Sequence, residues 1–175
     1  MIEKLEIREI EPGDLPAIES LYPKAFPDED LLPVVRQLIG DTSIVMSLVA
    51  TIDSQVTGHV IFTKCRVDGG DEKVSLLAPL AVLPEFQSQG IGSAIVRDGL
   101  QRLTQAGISQ VFVLGDPAYY SRFGFAPESS VEPPFPMPDE WTEAWQSLNL
   151  AGAPLPGPGK LSVPSPWCHP DLWAP

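Results

Sequence analysis

One stretch limits the folds open to this chain more than any other: residues 73–107, in which an apolar segment passes through a glycine-bearing turn directly into an amphipathic helix. Val74 to Leu83 is nearly continuous in apolar residues, which is typical of a strand covered on both faces. Residues at helical spacing then predict the inner face of a helix that ends at Gly107: Ile91, Ile95, Val96, Leu100 and Leu103. Gln110 to Leu114 predicts a second buried strand, and a strand, helix and strand in this order form a right-handed crossover between parallel strands.

The turn at the head of this helix, Gln87 to Ser93, has the features of an anion site. Gly90 and Gly92 let the backbone come close to a ligand, while the N–H groups of the first turn and the helix dipole favour negative charge. A Walker loop would need a Lys-Ser or Lys-Thr pair where the chain has Ser93-Ala94, and a dinucleotide fingerprint would need a third glycine at Ile95. We expect a phosphate here, held by a different motif.

Pro79 lies inside the first strand. A proline removes a donor from the strand ladder, so we expect either a bulge or a place where this strand has parted from its neighbour.

The upstream sequence predicts a mostly antiparallel half. Its expected elements are a strand at Leu5–Ile10, a helix capped by Asp14 and ending near Lys24, a short helix from Asp28 or Asp30 to Gly40, and a hairpin of Ser43–Ile52 with Gln55–Val67, turned at Asp53-Ser54 and bulged at Gly58.

Two motifs together resemble the GNAT superfamily of N-acetyltransferases. Gln87, Gly90 and Gly92 match the pattern Gln/Arg-x-x-Gly-x-Gly/Ala after a strand, and Leu114 to Pro127 follows Leu-Gly-Asp-Pro-x-Tyr-Tyr-x-Arg-Phe-Gly-Phe-x-Pro. The second segment resembles one bacterial subgroup of predicted acetyltransferases. The resemblance covers about Leu5 to Pro127, and it implies an α/β (α+β) GNAT fold: a mixed central sheet with a splayed pair of parallel strands and helices on both faces.

The resemblance also implies a site. Acetyl-CoA is the expected co-substrate, without a metal, and the residues expected to bind it are Leu80, Ala81, Val82, Gln87, Ser88, Gln89, Gly90, Ile91, Gly92, Ser93 and Asp116. Tyr120 stands where the family commonly has the acid that protonates the leaving thiolate. The alternative for Tyr120 is packing within a short helix that Asp116 caps and Gly124 ends, and packing is what we expect of Tyr119.

Neither the general base nor the acceptor follows from the sequence. Many relatives use a glutamate on the central strand, but Val74 to Leu83 holds no acid. Asp28, Glu29 and Asp30 lie where relatives shape the acceptor pocket, and they could attract an ammonium group. The alternative is a cluster of acids favoured by a helix start.

Composition limits the classes of partner. The net charge is −12 and the isoelectric point is near 4.4, which argues against nucleic acid and anionic membranes, since both call for a basic surface. We expect no membrane span and no secretory leader, and therefore a cytoplasmic location. Cys65, Cys168, His59 and His169 lack the paired spacing of a zinc site, so structural roles are expected.

After Pro127 the chain becomes rich in proline and tryptophan, and we expect residues 1–127 to form the acetyltransferase core and 128–175 an extension packed on it. A short helix is expected at Asp139–Leu148, and Lys160–Val163 is a strand candidate. Trp141, Trp145, Trp167 and Trp173 predict that the extension is docked, because disordered tails are poor in aromatic residues.

The sequence thus predicts an N-acetyltransferase that moves an acetyl group from acetyl-CoA to a primary amine, with a homodimer as an arrangement common in the family. Two alternatives remain: a non-catalytic acyl-CoA sensor, and an interaction module that works through the Pro- and Trp-rich extension.

Overall fold

The computed structural model describes residues 4–68, 70, 73–150 and 158–173. Its helices are α1 Leu15–Ala25, α2 Leu32–Ile39, α3 Ile91–Gln105 and α4 Pro117–Tyr120. Its strands are β1 Leu5–Glu9, β2 Val45–Ile52, β3 Gln55–Val67, β4 Val74–Val82, β5 Gln110–Leu114, β6 Ala126–Pro127, β7 Val131–Glu132, β8 Trp145–Asn149 and β9 Gly159–Ser162. Backbone contacts divide the chain into two compact units, 1–62 with 78–102 and 63–77 with 103–175. The division expected at residue 127 stays a prediction.

The first unit contains β1, β2, residues 55–62 of β3 and residues 78–82 of β4, and the strand order is β1, β2, β3 and β4. β1 pairs antiparallel with β2, from Leu5 opposite Ile52 to Glu9 opposite Leu48. Asp53 and Ser54 join β2 to β3 with φ angles of 49° and 69°, which are the left-handed values that a two-residue hairpin turn requires. The predicted hairpin is therefore confirmed.

The helices of the first unit bury their apolar faces. Their side chains in its core include Ile18, Leu21, Val35, Leu38, Ile91 and Ile95. α3 therefore begins and faces inward as its periodicity predicted.

Asp14 is the N-cap residue of α1, as predicted, but its side chain does not cap the helix, and the predicted start of α2 is wrong. The Asp14 carboxylate accepts two hydrogen bonds from the Arg8 guanidinium, at 2.8 and 2.9 Å, and one from the Glu11 N–H at 2.7 Å. It therefore ties β1 to the start of α1 instead of capping the helix. The second helix begins at Leu32, after Leu31, and not at Asp28 or Asp30.

The second unit contains the predicted parallel pair. β4 pairs with β5 from Val74 opposite Gln110 to Leu76 opposite Phe112. This register ends before Pro79, in agreement with the expectation that the proline marks the end of a pairing. Mixed parallel and antiparallel pairing confirms the predicted fold class.

A strand replaces much of the helix predicted at Asp139–Leu148. Asp139–Ala144 forms 3-10 turns, and β8 then pairs antiparallel with β5. The Trp145 ring stacks on Phe112 with centroids 5.4 Å apart. Pairing with β5 overrides the local sequence pattern that predicted a helix. The residues of β8 themselves do not indicate that a distant strand will pair with them.

The C-terminal segment is docked, as its tryptophans predicted. Trp145, Trp167 and Trp173 are at most 5% exposed. β9 confirms the strand candidate and pairs with the end of β3, and the Trp167 indole Nε1 donates to the Thr63 hydroxyl at 3.2 Å. Among the described residues, no helix combines the length and apolarity needed to cross a bilayer.

Candidate functional site

The glycine-bearing turn of the first unit runs from Gln87 to Gly90 and lies exposed at the head of α3. Ser88 and Gly90 both have left-handed backbones, with φ of 63° and 84°. Gly90 adopts this conformation at no steric cost, whereas Ser88 is a non-glycine residue held there by its surroundings. The two reversals bring the chain from β4 to the first turn of α3.

Two glutamine side chains fasten this turn to its own backbone. Gln87 Nε2 donates to the Val82 carbonyl at 3.0 Å, and Gln89 Nε2 donates to the Glu85 carbonyl at 3.1 Å. Because both amides point back at the loop, their observed role is to fix its shape. Gln87 therefore links the end of β4 to the head of α3.

The head of α3 has the polarity that an anion requires. The first backbone bond of the helix runs from the Ala94 N–H to the Gly90 carbonyl, at 3.0 Å. The N–H groups before Ala94 therefore precede the helical ladder, at the positive end of a 15-residue helix. An oxyanion at this turn would meet N–H groups and a favourable dipole.

The end of β4 lies close against β3. A Cβ on Gly58 would be 3.3 Å from both the Ala81 carbonyl oxygen and Ile91 Cγ2. The Leu83 N–H donates to the Thr57 carbonyl at 2.9 Å. This close approach accounts for a glycine at position 58, and it holds Leu80 to Val82 in a fixed place beside the turn.

The first unit also has an open cavity of about 310 Å³ between α1 and α2. Its lining includes Tyr22, Phe26 and three consecutive acids, Asp28, Glu29 and Asp30. The ion pairs found among the described residues include none of these three acids. The cavity therefore presents carboxylates and an aromatic ring to whatever enters it.

His59 is a core residue. It is fully buried between the Tyr22 hydroxyl, 2.7 Å from Nδ1, and the Ser47 hydroxyl, 2.6 Å from Nε2. Burial lowers the pKa of His59 to about 3, so the ring is neutral at physiological pH. A Ser-His pair enclosed in this way is closed to substrates, and it stabilises the packing of α1 against the sheet.

In the second unit, Asp116 and Tyr120 lie on the short segment after β5. Asp116 caps α4, since its Oδ1 accepts the Ala118 N–H at 2.9 Å. Tyr120 is half-buried, and burial raises the pKa of its phenol. The phenol therefore keeps its proton at neutral pH.

Tyr119 has the packing role expected of it. The Arg122 guanidinium lies 4.4 Å from the centre of the Tyr119 ring, and Arg122 Nε donates to the Tyr119 carbonyl at 2.9 Å. The ring also lies edge-on to Phe123. These contacts hold the outer side of the short helix together.

Two residues that support Tyr120 were missed in the sequence. A Cβ on Gly115 would lie 2.5 Å from Cε2 of the Tyr120 ring, so glycine leaves the space that the ring fills. Gln146, which is fully buried, donates from Nε2 to the Gly115 carbonyl at 3.0 Å. The position of Gly115, directly after an apolar strand, could have indicated its role from the sequence. The role of Gln146 becomes recognisable only when β8 is paired with β5.

The family model described as the acetyltransferase (GNAT) family matches residues 7–125. The chain belongs to the GNAT family. The expectation of an acyltransferase is thereby confirmed.

Relatives of this GNAT chain agree with the assignment. The chain is 32% identical over 161 residues to the uncharacterized N-acetyltransferase YjhQ of Escherichia coli, covering 88% of this chain and 89% of YjhQ. It is 39% identical over 126 residues to the uncharacterized N-acetyltransferase YhbS of the same organism, covering 71% and 73%.

Two solved structures have the same fold. The E. coli YhbS structure, in complex with CoA, matches with a TM-score of 0.83 and 31% identity, covering 94% of this chain and 92% of that one. A GNAT acetyltransferase from Brucella melitensis, in complex with acetyl-CoA, matches with a TM-score of 0.74 and 28% identity, covering 93% and 97%.

The predicted site residues of this GNAT chain fall into two groups. Leu80 to Val82 and Gln87 to Ser93 belong to the first unit, while Asp116 and Tyr120 belong to the second. Their roles toward a ligand stay predictions. Among the residues that the structure describes, no cluster of three or more His, Cys, Asp or Glu side chains could hold a metal ion.

Proposed function

We propose that this GNAT protein transfers the acetyl group of acetyl-CoA to a primary amine. The observation that carries the proposal is the exposed turn Gln87–Gly90. Two residues of this turn have left-handed backbone conformations, and the turn leads directly into the first turn of α3. It is supported by the E. coli and Brucella melitensis structures, which are complexes with CoA and with acetyl-CoA.

The cofactor half of the site would be built from the first unit. The pyrophosphate would lie on the N–H groups from Ser88 to Ser93, where the helix dipole favours negative charge. The pantetheine arm would run along the backbone of Leu80, Ala81 and Val82, whose N–H groups would also polarise the thioester carbonyl. Asp116 contributes by shaping the segment after β5, since its carboxylate already caps α4.

The reaction proposed is a direct transfer. The neutral amine attacks the thioester carbonyl carbon, the tetrahedral intermediate expels the CoA thiolate, and the former amine loses one proton to a base or to water. Tyr120 would donate its phenolic proton to the thiolate. Burial keeps that phenol protonated, so its proton is present when the thiolate leaves.

The acceptor would enter beside α1 and α2. Asp28, Glu29 and Asp30 supply carboxylates at a cavity large enough for an amino group and its neighbouring atoms. A protonated amine would be attracted there before it loses its proton and reacts. A cytoplasmic location and a homodimer stay predictions for this protein.

Calorimetric titration with acetyl-CoA tests the cofactor site. Gly92→Glu places a carboxylate in the first turn of α3, where an acid is compatible with a helix start. Gln101→Glu makes the same charge change on an exposed position of the same helix and serves as the matched control. Wild type and control should bind saturably, and Gly92→Glu should bind at least about tenfold more weakly because of charge repulsion.

A second assay tests the transfer itself. Thiol release is followed with acetyl-CoA and a panel of primary amines, and Asp28→Asn with Asp30→Asn should raise KM for cationic amines more than kcat is lowered. Binding of acetyl-CoA without thiol release for any amine would favour the sensor alternative. Equal binding by wild type and Gly92→Glu would contradict the placement of the phosphates.

A further inference from the structure

The second unit contains a polar cavity of about 320 Å³ that has no part in the proposed transfer. It lies beside β5, β6 and β8, and shares no lining residue with the cavity beside α1 and α2 or with the turn at α3. Its lining includes Gln110, Glu128, Ser129, Ser130, Ser147 and Asn149. Its volume is within the range of small-molecule pockets and well above that of a single water.

The sheet explains why these side chains meet. Gln110 on β5 lies opposite Asn149 on β8, and Phe112 lies opposite Ser147. Because side chains alternate along a strand, Gln110, Ser147 and Asn149 share one face of the sheet. The segment from Glu128 to Val131 then closes over that face.

Glu128 organises the cavity wall. One carboxylate oxygen accepts from Ser147 Oγ at 2.6 Å and from Gln110 Nε2 at 3.2 Å. The other accepts the N–H groups of Ser130 and Val131, both at 2.7 Å. Glu128 is the one charged side chain among the described residues that line the cavity, and all four of its donors are neutral. Its negative charge therefore has no cation beside it in the described wall.

The decisive atom is Gln110 Oε1. Gln110 is 4% exposed, and its Oε1 has no hydrogen-bond partner among the described residues. The amide orientation is set by Glu128, since a flipped amide would turn an oxygen toward the carboxylate. A buried acceptor without a donor is costly, and native proteins satisfy such atoms with water or with a ligand.

We propose that this cavity binds a small primary ammonium compound at a second site of the protein. Gln110 Oε1 is covered by its neighbours, so the ammonium group would move those neighbours aside and then donate to Gln110 Oε1 and to a neighbouring serine oxygen. Its charge would balance the Glu128 carboxylate. A neutral polyol could supply donors but no charge, while a quaternary ammonium could supply charge but no donors. Recognition by both features therefore selects a protonated primary amine.

The test is an NMR titration of ¹⁵N-labelled protein with ethanolamine hydrochloride, at neutral pH and constant ionic strength, without acetyl-CoA. Saturable shifts are expected at the Gln110 side-chain amide and at the N–H groups of Ser130 and Val131. Tetramethylammonium chloride and ethylene glycol, which each lack one of the two features, should bind at least tenfold more weakly. This comparison needs no variant.

Gln110→Met supplies a second arm, because it removes the unpaired acceptor at similar side-chain length. It should weaken ethanolamine binding at least tenfold, whereas Gln101→Met on the exposed face of α3 should leave it unchanged. Absence of saturable shifts in folded wild type would mean that the cavity holds water only, and would overturn the proposal. Shifts confined to Asp28, Glu29 and Asp30, or equal binding of tetramethylammonium, would overturn it as well. Because acetyl-CoA is absent, each of these outcomes leaves the proposed transfer reaction to its own tests.

Discussion

Lowering the pH from 7 to 5 is expected to destabilise this protein through one buried side chain, His59. The two ring nitrogens lie 2.7 Å from the Tyr22 hydroxyl and 2.6 Å from the Ser47 hydroxyl. A neutral ring donates at one nitrogen and accepts at the other. A protonated ring would donate at both, so both hydroxyls would have to accept, and a charge would be buried among apolar neighbours.

The size of the effect follows from the pKa of His59. Burial lowers it to about 3, against a weaker opposing influence of the Asp14 carboxylate. Between about pH 3 and the ordinary histidine value of about 6.5, the unfolded chain binds a proton at this residue that the folded chain does not bind. The free energy of unfolding therefore falls as the pH falls, by about 2 kcal/mol between pH 7 and pH 5 and about 5 kcal/mol in all.

The interval from pH 7 to 5 separates His59 from the carboxylates. The Arg8 guanidinium lowers the pKa of Asp14, so the stability that Asp14 contributes is lost only when the pH falls below the unfolded value of about 4. The net charge of −12 acts in the opposite direction, because its partial neutralisation weakens self-repulsion. A comparison with a variant that lacks the histidine removes this background.

Urea unfolding at pH 7, 6 and 5 measures the difference. His59→Gln keeps a donor and an acceptor at the buried position, and His169→Gln changes an exposed histidine as the matched control. Wild type and the control should each lose about 2 kcal/mol more than His59→Gln between pH 7 and 5. In an NMR titration of wild type, the His59 ring signals should stay unshifted above about pH 4. Equal pH slopes in wild type and His59→Gln, with ring signals that titrate near pH 6, would refute the reasoning.

Three further predictions concern the second unit. Tyr120→Phe should lower kcat about 100-fold or more by removing the proton donor. The affinity for acetyl-CoA should be retained, and the control variant Tyr119→Phe should stay active. A wild-type rate for Tyr120→Phe would exclude the acid role. Gly115→Ala should lower kcat about tenfold or more, because its Cβ would displace the Tyr120 ring, and circular dichroism should show an intact fold; an unchanged rate would mean that the ring position does not matter. Trp173→Ala should lower the free energy of unfolding by about 3–5 kcal/mol, since this side chain is 2% exposed and its Nε1 donates to the Trp167 carbonyl at 3.0 Å. Urea unfolding measures the loss, and a loss below about 1 kcal/mol would contradict a docked C-terminal segment.

Several parts of the fold were predictable because their signals are local. The inner face of α3, the ends of β5 and the two-residue hairpin at Asp53-Ser54 each depend on residues that are neighbours in sequence. Glycines at Gly90, Gly107 and Gly124 all adopt the left-handed backbone, which is the conformation that L side chains avoid. The resemblance to GNAT acetyltransferases also lay in contiguous motifs, and the family comparison confirmed it.

The features of this protein divide into those that depend on neighbouring residues and those that depend on partners distant in sequence. The sequence by itself determined the crossover of β4, α3 and β5 and the glycine turn before α3, because apolar periodicity and backbone freedom are properties of neighbouring residues. Only the tertiary structure decided that residues 145–149 form a strand, that Asp14 serves Arg8, and that Gln146 holds Gly115 beneath Tyr120. It also left the buried side-chain oxygens of Gln110 and Gln146 without a donor among the described residues. Each of these outcomes is a choice among hydrogen-bond partners, and that choice is made only when folding brings distant segments together and removes water from between them.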